Sequence, residues 1–319
     1  MSEQATLYDA PGPRAKRITV ISSIVATVLI LVGAYFLIYR PLAGRGEFDM
    51  DKWGPLIDPG NDDFKAVWKR IWDGFQATLT AAALAVIGSL VLGSLLAVAR
   101  VQLKELSRRR YIGLPAAVAL PLRVLTVALD VISRVFVEVF RGLPVVITIV
   151  FVWLGLPTLG IELGKLLWYL VIGLVLYNTV VIAEILRSGM EGLPAGQREA
   201  ANAIGLSSGQ TIRIILLPQA FRIMLPALIS QLVVVLKDTS LGFIIGYEEI
   251  LRVTSQIVQI LDNQIQMYIV VGIIYILLNY GLSKLAGYLQ RRLARAPRTR
   301  ALRPAAAPPA DALPVGSAL

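Results

Sequence analysis

The sequence predicts an all-α protein, a polytopic bundle of about six transmembrane helices. Three observations predict it. Hydrophobic residues make up 56% of the 319-residue chain, and the mean hydropathy is +0.69. Charged residues make up only 16%, against roughly 25% in a soluble domain. The charges are also clustered, and they separate apolar runs long enough to cross roughly 30 Å of hydrocarbon. Backbone groups in lipid must find their hydrogen bonds inside the segment, which a helix provides.

The elements follow in order. Residues 1–17 form a polar tail that ends in Arg14, Lys16 and Arg17; its first part, Met1 to Pro13, reads as disordered. Residues 18–39, ITVISSIVATVLILVGAYFLIY, contain no charge and form an additional N-terminal anchor. A cleaved signal peptide is the alternative, but no small-residue cleavage site directly follows. Tyr35 and Tyr39 suit a membrane interface. Residues 40–73 are polar, carry Trp53, Trp68 and Trp72, and read as an extracytoplasmic loop.

The second span runs from about Phe75 to Ala99, and its Ala, Gly and Ser residues favour close helix contacts. A basic loop follows, with Arg100, Lys104, Arg108, Arg109 and Arg110. Residues 111–127 are apolar but broken by Pro115, Pro121 and Arg123, and read as an interfacial helix. The remaining spans are about Val131 to Leu154, Leu166 to Leu186, Phe221 to Leu236 and Ile265 to Leu285. The tail, 293–319, is basic and then rich in Ala and Pro, and reads as disordered.

Lys and Arg in short loops set orientation. The N-terminus, the 100–110 loop, the 187–222 region and the 284–303 tail are all Arg-rich. Six spans place all four, with both termini, on the cytoplasmic side. A seventh span at 111–127 would move the last two outside.

Composition also excludes chemistry. The chain has no Cys and no His. Disulfides, Cys/His and Ser/His/Asp catalytic sets and ordinary zinc sites are therefore excluded. The net charge of +10 is explained by topology. It forms no stripe with interleaved aromatics, so nucleic acid is not an expected partner. GIELGK, Gly160 to Lys165, has the wrong spacing for a phosphate loop and is followed by Leu166. No metal or cofactor site is expected in this chain.

One polar segment interrupts the apolar pattern: REAANAIGLSSGQTIRIILLP, Arg198 to Pro218. Ala200, Ala201 and Ala203 place small residues at helical spacing beside Arg198 and Glu199. Gly205 can take the left-handed conformation that ends a helix. Ser207 and Gln210 fit the capping box of a new helix carrying Ile212, Ile215 and Leu216, and Pro218 limits its continuation. The product is a helix-turn-helix elbow. Its small-residue face suits docking of another protein better than catalysis.

This elbow resembles the EAA loop of ABC-importer permeases, with pattern E-A-A-x3-G-x9-I-x-L-P. Glu199, Ala200, Ala201, Gly205, Ile215, Leu217 and Pro218 match each fixed position. Flanking segments resemble the polar amino acid subfamily. In VFVEVFRGLPVVITIVFVWLGLP, Glu138, Arg141, Gly142 and Pro144 match E-x-x-R-G-T-P, with Leu143 in place of Thr. IAEILRSGMEGL resembles A-E-I-x-R-G-G, with Ser188 for the first Gly, and Lys237 to Leu241 carry K-D-T-S-L. The resemblance covers about Gly74 to Arg292. It implies a type I importer permease fold, with a core domain at 74–292 and a coupling segment at 194–218 that includes Arg198.

The resemblance further implies alternating access driven by two ATPase subunits that bind the ATP. It implies a second permease subunit, identical or related, and an extracytoplasmic amino acid-binding protein. The location implied is the bacterial plasma membrane, in contact with its lipid. The substrate favoured is glutamate or glutamine, from the extended N-terminal architecture; basic amino acids remain the alternative. An ion-coupled secondary transporter is the rival class, but the chain shows no clear inverted repeat and that class leaves the elbow unexplained. A membrane enzyme would need a catalytic set that the composition lacks.

Charged and polar residues within spans carry structural and functional readings side by side. Asp130, Arg134 and Glu138 can form an i, i+4, i+8 ladder, and Arg141 can neutralise Glu138 or reach the headgroups. Glu184 is expected to pair with Arg187 or Arg198, or to act in coupling. Asn178 needs a hydrogen bond, either from another helix or from substrate. Lys237 and Asp238 are expected to cap or pair locally. In the alternative they face a translocation path with Thr239 and Ser240, where a zwitterion needs both signs. The path or gate set is thus Glu138, Arg141, Asn178, Glu184, Lys237, Asp238, Thr239 and Ser240. Gly246 to Ile257, GYEEILRVTSQI, is expected to form a gate or a surface for the binding protein.

Overall fold

The structure is a computed structural model that describes residues 12–108, 111 and 115–294. The expected disordered segments lie almost wholly outside these residues. Among the described residues every regular element is helical, and six helices are long and apolar enough to cross a membrane. The chain divides into two compact units, residues 1–78 with 248–275 and residues 79–247 with 276–319.

In the first unit, α1 (Pro13–Ala34) begins at a proline, where a missing N–H costs nothing. A π-helical turn, Tyr35–Tyr39, continues it into α2 (Arg40–Gly44). The expected anchor at 18–39 is thus the middle of a 32-residue span. None of its hydrophobic window is buried in the protein, as suits a helix solvated by lipid.

The expected loop at 40–73 is mostly helical. α3 (Met50–Ile57) and the start of α4 (Phe64–Arg108) occupy it. The spacing of Val67, Ile71 and Phe75 already gives an apolar stripe, so the polar composition concealed an amphipathic helix. Val67 and Ile71 pack with Leu56, Ile250, Val253, Ile257, Met267 and Val271. The Trp53 indole N–H donates to the Glu47 carbonyl at 3.0 Å, and the Trp68 indole to the Leu56 carbonyl at 3.0 Å. Two of the three tryptophans therefore lock the fold rather than simply marking an interface. Lys52 bonds Glu47 at 2.9 Å, and Gln266 donates to the Glu47 carbonyl at 2.6 Å.

The second unit is built on α4, α5 (Ala116–Gly142), α6 (Val145–Thr158), α7 (Leu166–Glu191) and α10 (Leu217–Asp238). The small residues of α4 form a buried i, i+4 row: Ala81, Ala85, Ser89, Gly93 and Ala97. A Cβ on Gly93 would lie 2.7 Å from Ile182 Cγ2 and 3.1 Å from the Thr179 carbonyl. α4 and α7 therefore meet almost backbone to backbone. Gly173 does the same for α7 and α6, where its Cβ would stand 2.8 Å from Ile149 Cα.

Two boundaries differ from expectation. Residues 111–127 and 131–154 do not form an interfacial helix and a separate span. Instead α5 runs unbroken from Ala116 through Pro121, and the break comes at Leu143 (φ −83°, ψ 137°) before Pro144. Pro144 disfavours helical ψ in the residue before it, whereas Pro121 lies inside α5 and the helix runs on through it at the loss of one backbone hydrogen bond. Nor does Pro218 stop the second elbow helix. A π-helical stretch, Thr211–Leu216, widens the backbone ahead of it, and Pro218 becomes the second residue of α10. The fifth span therefore extends over Ser208–Ile245 rather than Phe221 to Leu236.

Candidate functional site

The elbow forms as its sequence chemistry requires. α7 ends at Glu191, and Gly192 to Ala195 turn the chain into the short helix α8 (Gly196–Ala203). Gly205 has φ +80°, and the Leu206 N–H returns to the Ala201 carbonyl at 3.0 Å. That bond closes the helix end in the six-to-one pattern of a Schellman cap. α9 (Ser208–Gln210) follows with both halves of its capping box. The Ser207 N–H donates to Gln210 Oε1 at 2.9 Å, and the Gln210 N–H to Ser207 Oγ at 3.4 Å.

The faces of α8 are unequal. Ala201 is buried, whereas Glu199, Ala200, Ala203 and Ile204 are exposed, Ile204 by 75%. Ile215 and Leu217 pack against a core of Ile212, Leu216, Ala220, Leu186 and Met190, and Pro218 is exposed. The elbow thus rests on a hydrophobic base and presents a small, mostly apolar face with one carboxylate. Arg198 departs from the expected grouping with that face. Its Nη1 donates to Glu105 Oε1 of α4 at 2.8 Å.

A charged seat lies at the matching ends of α4 and α7. Glu184 accepts from Arg100 Nη1 at 2.6 Å and from Arg187 Nε at 2.9 Å. Glu191 accepts from Lys104 at 2.7 Å and from Arg187 at 2.5 Å. The sequence reading offered Glu184 two partners; Arg187 is one, while Arg198 bonds Glu105 instead. Arg100 and Lys104 are expected only in a basic loop, and Glu105 carries no expectation of its own. Their signal was available: 100 and 104 match 184, 187 and 191 in helical period on two helices.

The path residues do not converge on one place. Asn178 is fully buried. Its amide donates to the Leu174 carbonyl at 2.8 Å, and its Oδ1 accepts from Gln231 Nε2 of α10 at 2.7 Å. It is an interhelical tie, the structural alternative. Asp130 and Arg134 form the first rung of the ladder at 2.6 Å. Glu138 and Arg141 are exposed, and no ion pair joins them among the described residues. Glu138 does share a cavity of about 400 Å³ with Asp130, Arg134, Arg100 and Glu184.

Lys237 and Asp238 neither pair nor cap among the described residues. The Thr239 hydroxyl donates to the Leu236 carbonyl at 2.6 Å and Ser240 to the Lys237 carbonyl at 2.7 Å. These side chains therefore stabilise the switch from α-helix to the 3-10 turn Thr239–Ile245. In the first unit, Glu249 was missed as an individual residue. It caps α11 (Ile250–Leu261) by accepting from the N–H groups of Leu251 at 2.9 Å and Arg252 at 2.7 Å, and Tyr275 donates to it at 3.2 Å. Burial pushes its carboxyl up to about 7.

Comparison with known proteins places these features in a context. Residues 111–295 match the family described as binding-protein-dependent transport system inner membrane component. The glutamate transport system permease protein GluD of Corynebacterium glutamicum is 39% identical over 262 residues, covering 81% of this chain and 85% of its own. The probable glutamine ABC transporter permease protein GlnP of Bacillus subtilis is 32% identical over 226 residues, covering 70% and 93%. A crystal structure described as an amino acid ABC transporter with histidines shares the fold. Its TM-score is 0.56 at 24% identity, over 72% of this chain and 96% of that one.

Proposed function

This chain belongs to the family of binding-protein-dependent transport system inner membrane components, and on that premise we propose that it is the permease subunit of an ATP-driven importer for glutamate or glutamine. It is a multi-pass membrane protein and a transport subunit rather than a catalyst. The observation that carries the proposal is the elbow. A capped helix with an exposed Ala200–Ala203–Ile204 face stands on the ends of two packed helices. A partner ATPase that seats this face and closes on ATP would push those ends and open the path elsewhere. A binding protein on the other side would deliver the substrate, and a second permease subunit, identical or related, would complete the path.

The substrate proposal rests on relatives described as glutamate and glutamine permeases. In proteoliposomes holding the permease, its ATPase and its binding protein, ATP-dependent uptake of labelled glutamate or glutamine is expected. Excess unlabelled glutamate or glutamine should suppress it, and arginine should not. Suppression by arginine alone would assign the chain to a basic amino acid.

A further inference from the structure

We propose that Glu105 is a positioning residue that straps the docking helix α8 to the end of α4, so that displacement of α8 is delivered to α4 as well as along its own chain. The inference rests on the reading of α8 as the docking helix. It extends that reading to a residue outside the elbow, and it moves Arg198 from the docking face to the strap.

Three observations support it. First, α8 is joined covalently only to the end of α7 and to α9, through turns at Gly192 to Ala195 and at Ile204 to Ser207. Short turns of this kind bend before they transmit force sideways. The Arg198–Glu105 bond, 2.8 Å long, gives α8 a direct side-chain tie to α4. Second, the place where the tie lands is itself braced. On the neighbouring face of α4, Arg100 and Lys104 hold Glu184 and Glu191 of α7. Val101, on the same turn, is buried with Ile212 and Leu216. A pull on Glu105 therefore moves a rigid assembly of α4 and α7. Third, the pair is part-exposed, with side-chain exposures of 36% and 26%. Such pairs add little to stability. Its value lies in geometry: it fixes which way α8 faces, with Arg198 turned inward and Glu199 and Ala200 outward.

The chain has no cysteine, which makes a distance measurement direct. Spin labels go on Asn202→Cys of α8 and Ser107→Cys of α4, in the complete complex with its ATPase. Distances are read without nucleotide and with ATP plus vanadate, and glutamate or glutamine uptake per ATP hydrolysed is measured beside them. In the parent complex the 107–202 distance should stay narrow in both states. Glu105→Ala or Arg198→Glu should broaden it with nucleotide, and uptake per ATP should fall about threefold, within the range open to a part-exposed ion pair. ATPase binding itself should persist. The exchanged pair, Glu105→Arg with Arg198→Glu, should restore both readouts. Single variants that match the parent, or an exchanged pair that does not recover, would overturn the strap. Failure of the ATPase to bind the parent chain would instead remove the docking reading on which it stands.

Discussion

Glu249 shows how one residue links local geometry to pH. It is fully buried, and two backbone N–H groups and the Tyr275 hydroxyl donate to it. Burial disfavours its charge more than these bonds favour it, so the carboxyl moves from the ordinary 4.5 to about 7. A carboxyl raised in the folded state favours folding when protonated. Its stabilisation is therefore complete below about pH 4.5 and is lost as pH rises to about 7. The thermal midpoint in detergent should fall across that window, and Glu249→Gln should remove this part of the fall. Equal slopes in both proteins would show that Glu249 does not titrate there. Sequence reading placed this residue only within a segment. Burial comes from α11, α12 (Gln264–Ala294) and the start of α4 meeting, and no local pattern announces that.

Among elements, the contact of α4 with α7 is the most demanding. It depends on a small residue at every fourth position, and Gly93 is the tightest point. Gly93→Val should lower stability by about 1–3 kcal/mol, the usual range for overpacking. Gly155 in α6 has nothing within 4 Å of a Cβ, so Gly155→Ala should be neutral or stabilise by up to about 1 kcal/mol. Thermal midpoints of the two variants check both signs. The small-residue row was legible in the sequence, since composition and period sufficed. The ends of α5 and α10 were not. Pro121, Pro144 and Pro218 look alike in sequence but act differently. One lies inside a helix that runs on through it, one forces its neighbour out of the helix, and one is relieved by a π-helical turn.

For the whole molecule, the count of six spans was legible, because hydrophobic length answers to membrane thickness. The elbow was also legible, because capping is local chemistry. The path was not. Thr239 and Ser240 satisfy their own helix and Asn178 ties two helices, and only packing could reveal either. The Arg-rich loops predict the sidedness. In the cysteine-free chain, Ser207→Cys should react with an impermeant maleimide only from the cytoplasm and Asn61→Cys only from outside. The reverse pattern would invert the topology.

The central claim is that the elbow docks an ATPase. Co-purification of the cognate ATPase should be compared for the parent chain, Glu199→Lys and Gly205→Asp. The first reverses the charge on the exposed face. The second places a side chain at φ +80° and disturbs the cap. The account predicts that both variants fold, elute as the parent does, and lose the ATPase. Retained ATPase with coupled uptake in both would contradict it and place the ATPase contact outside the elbow.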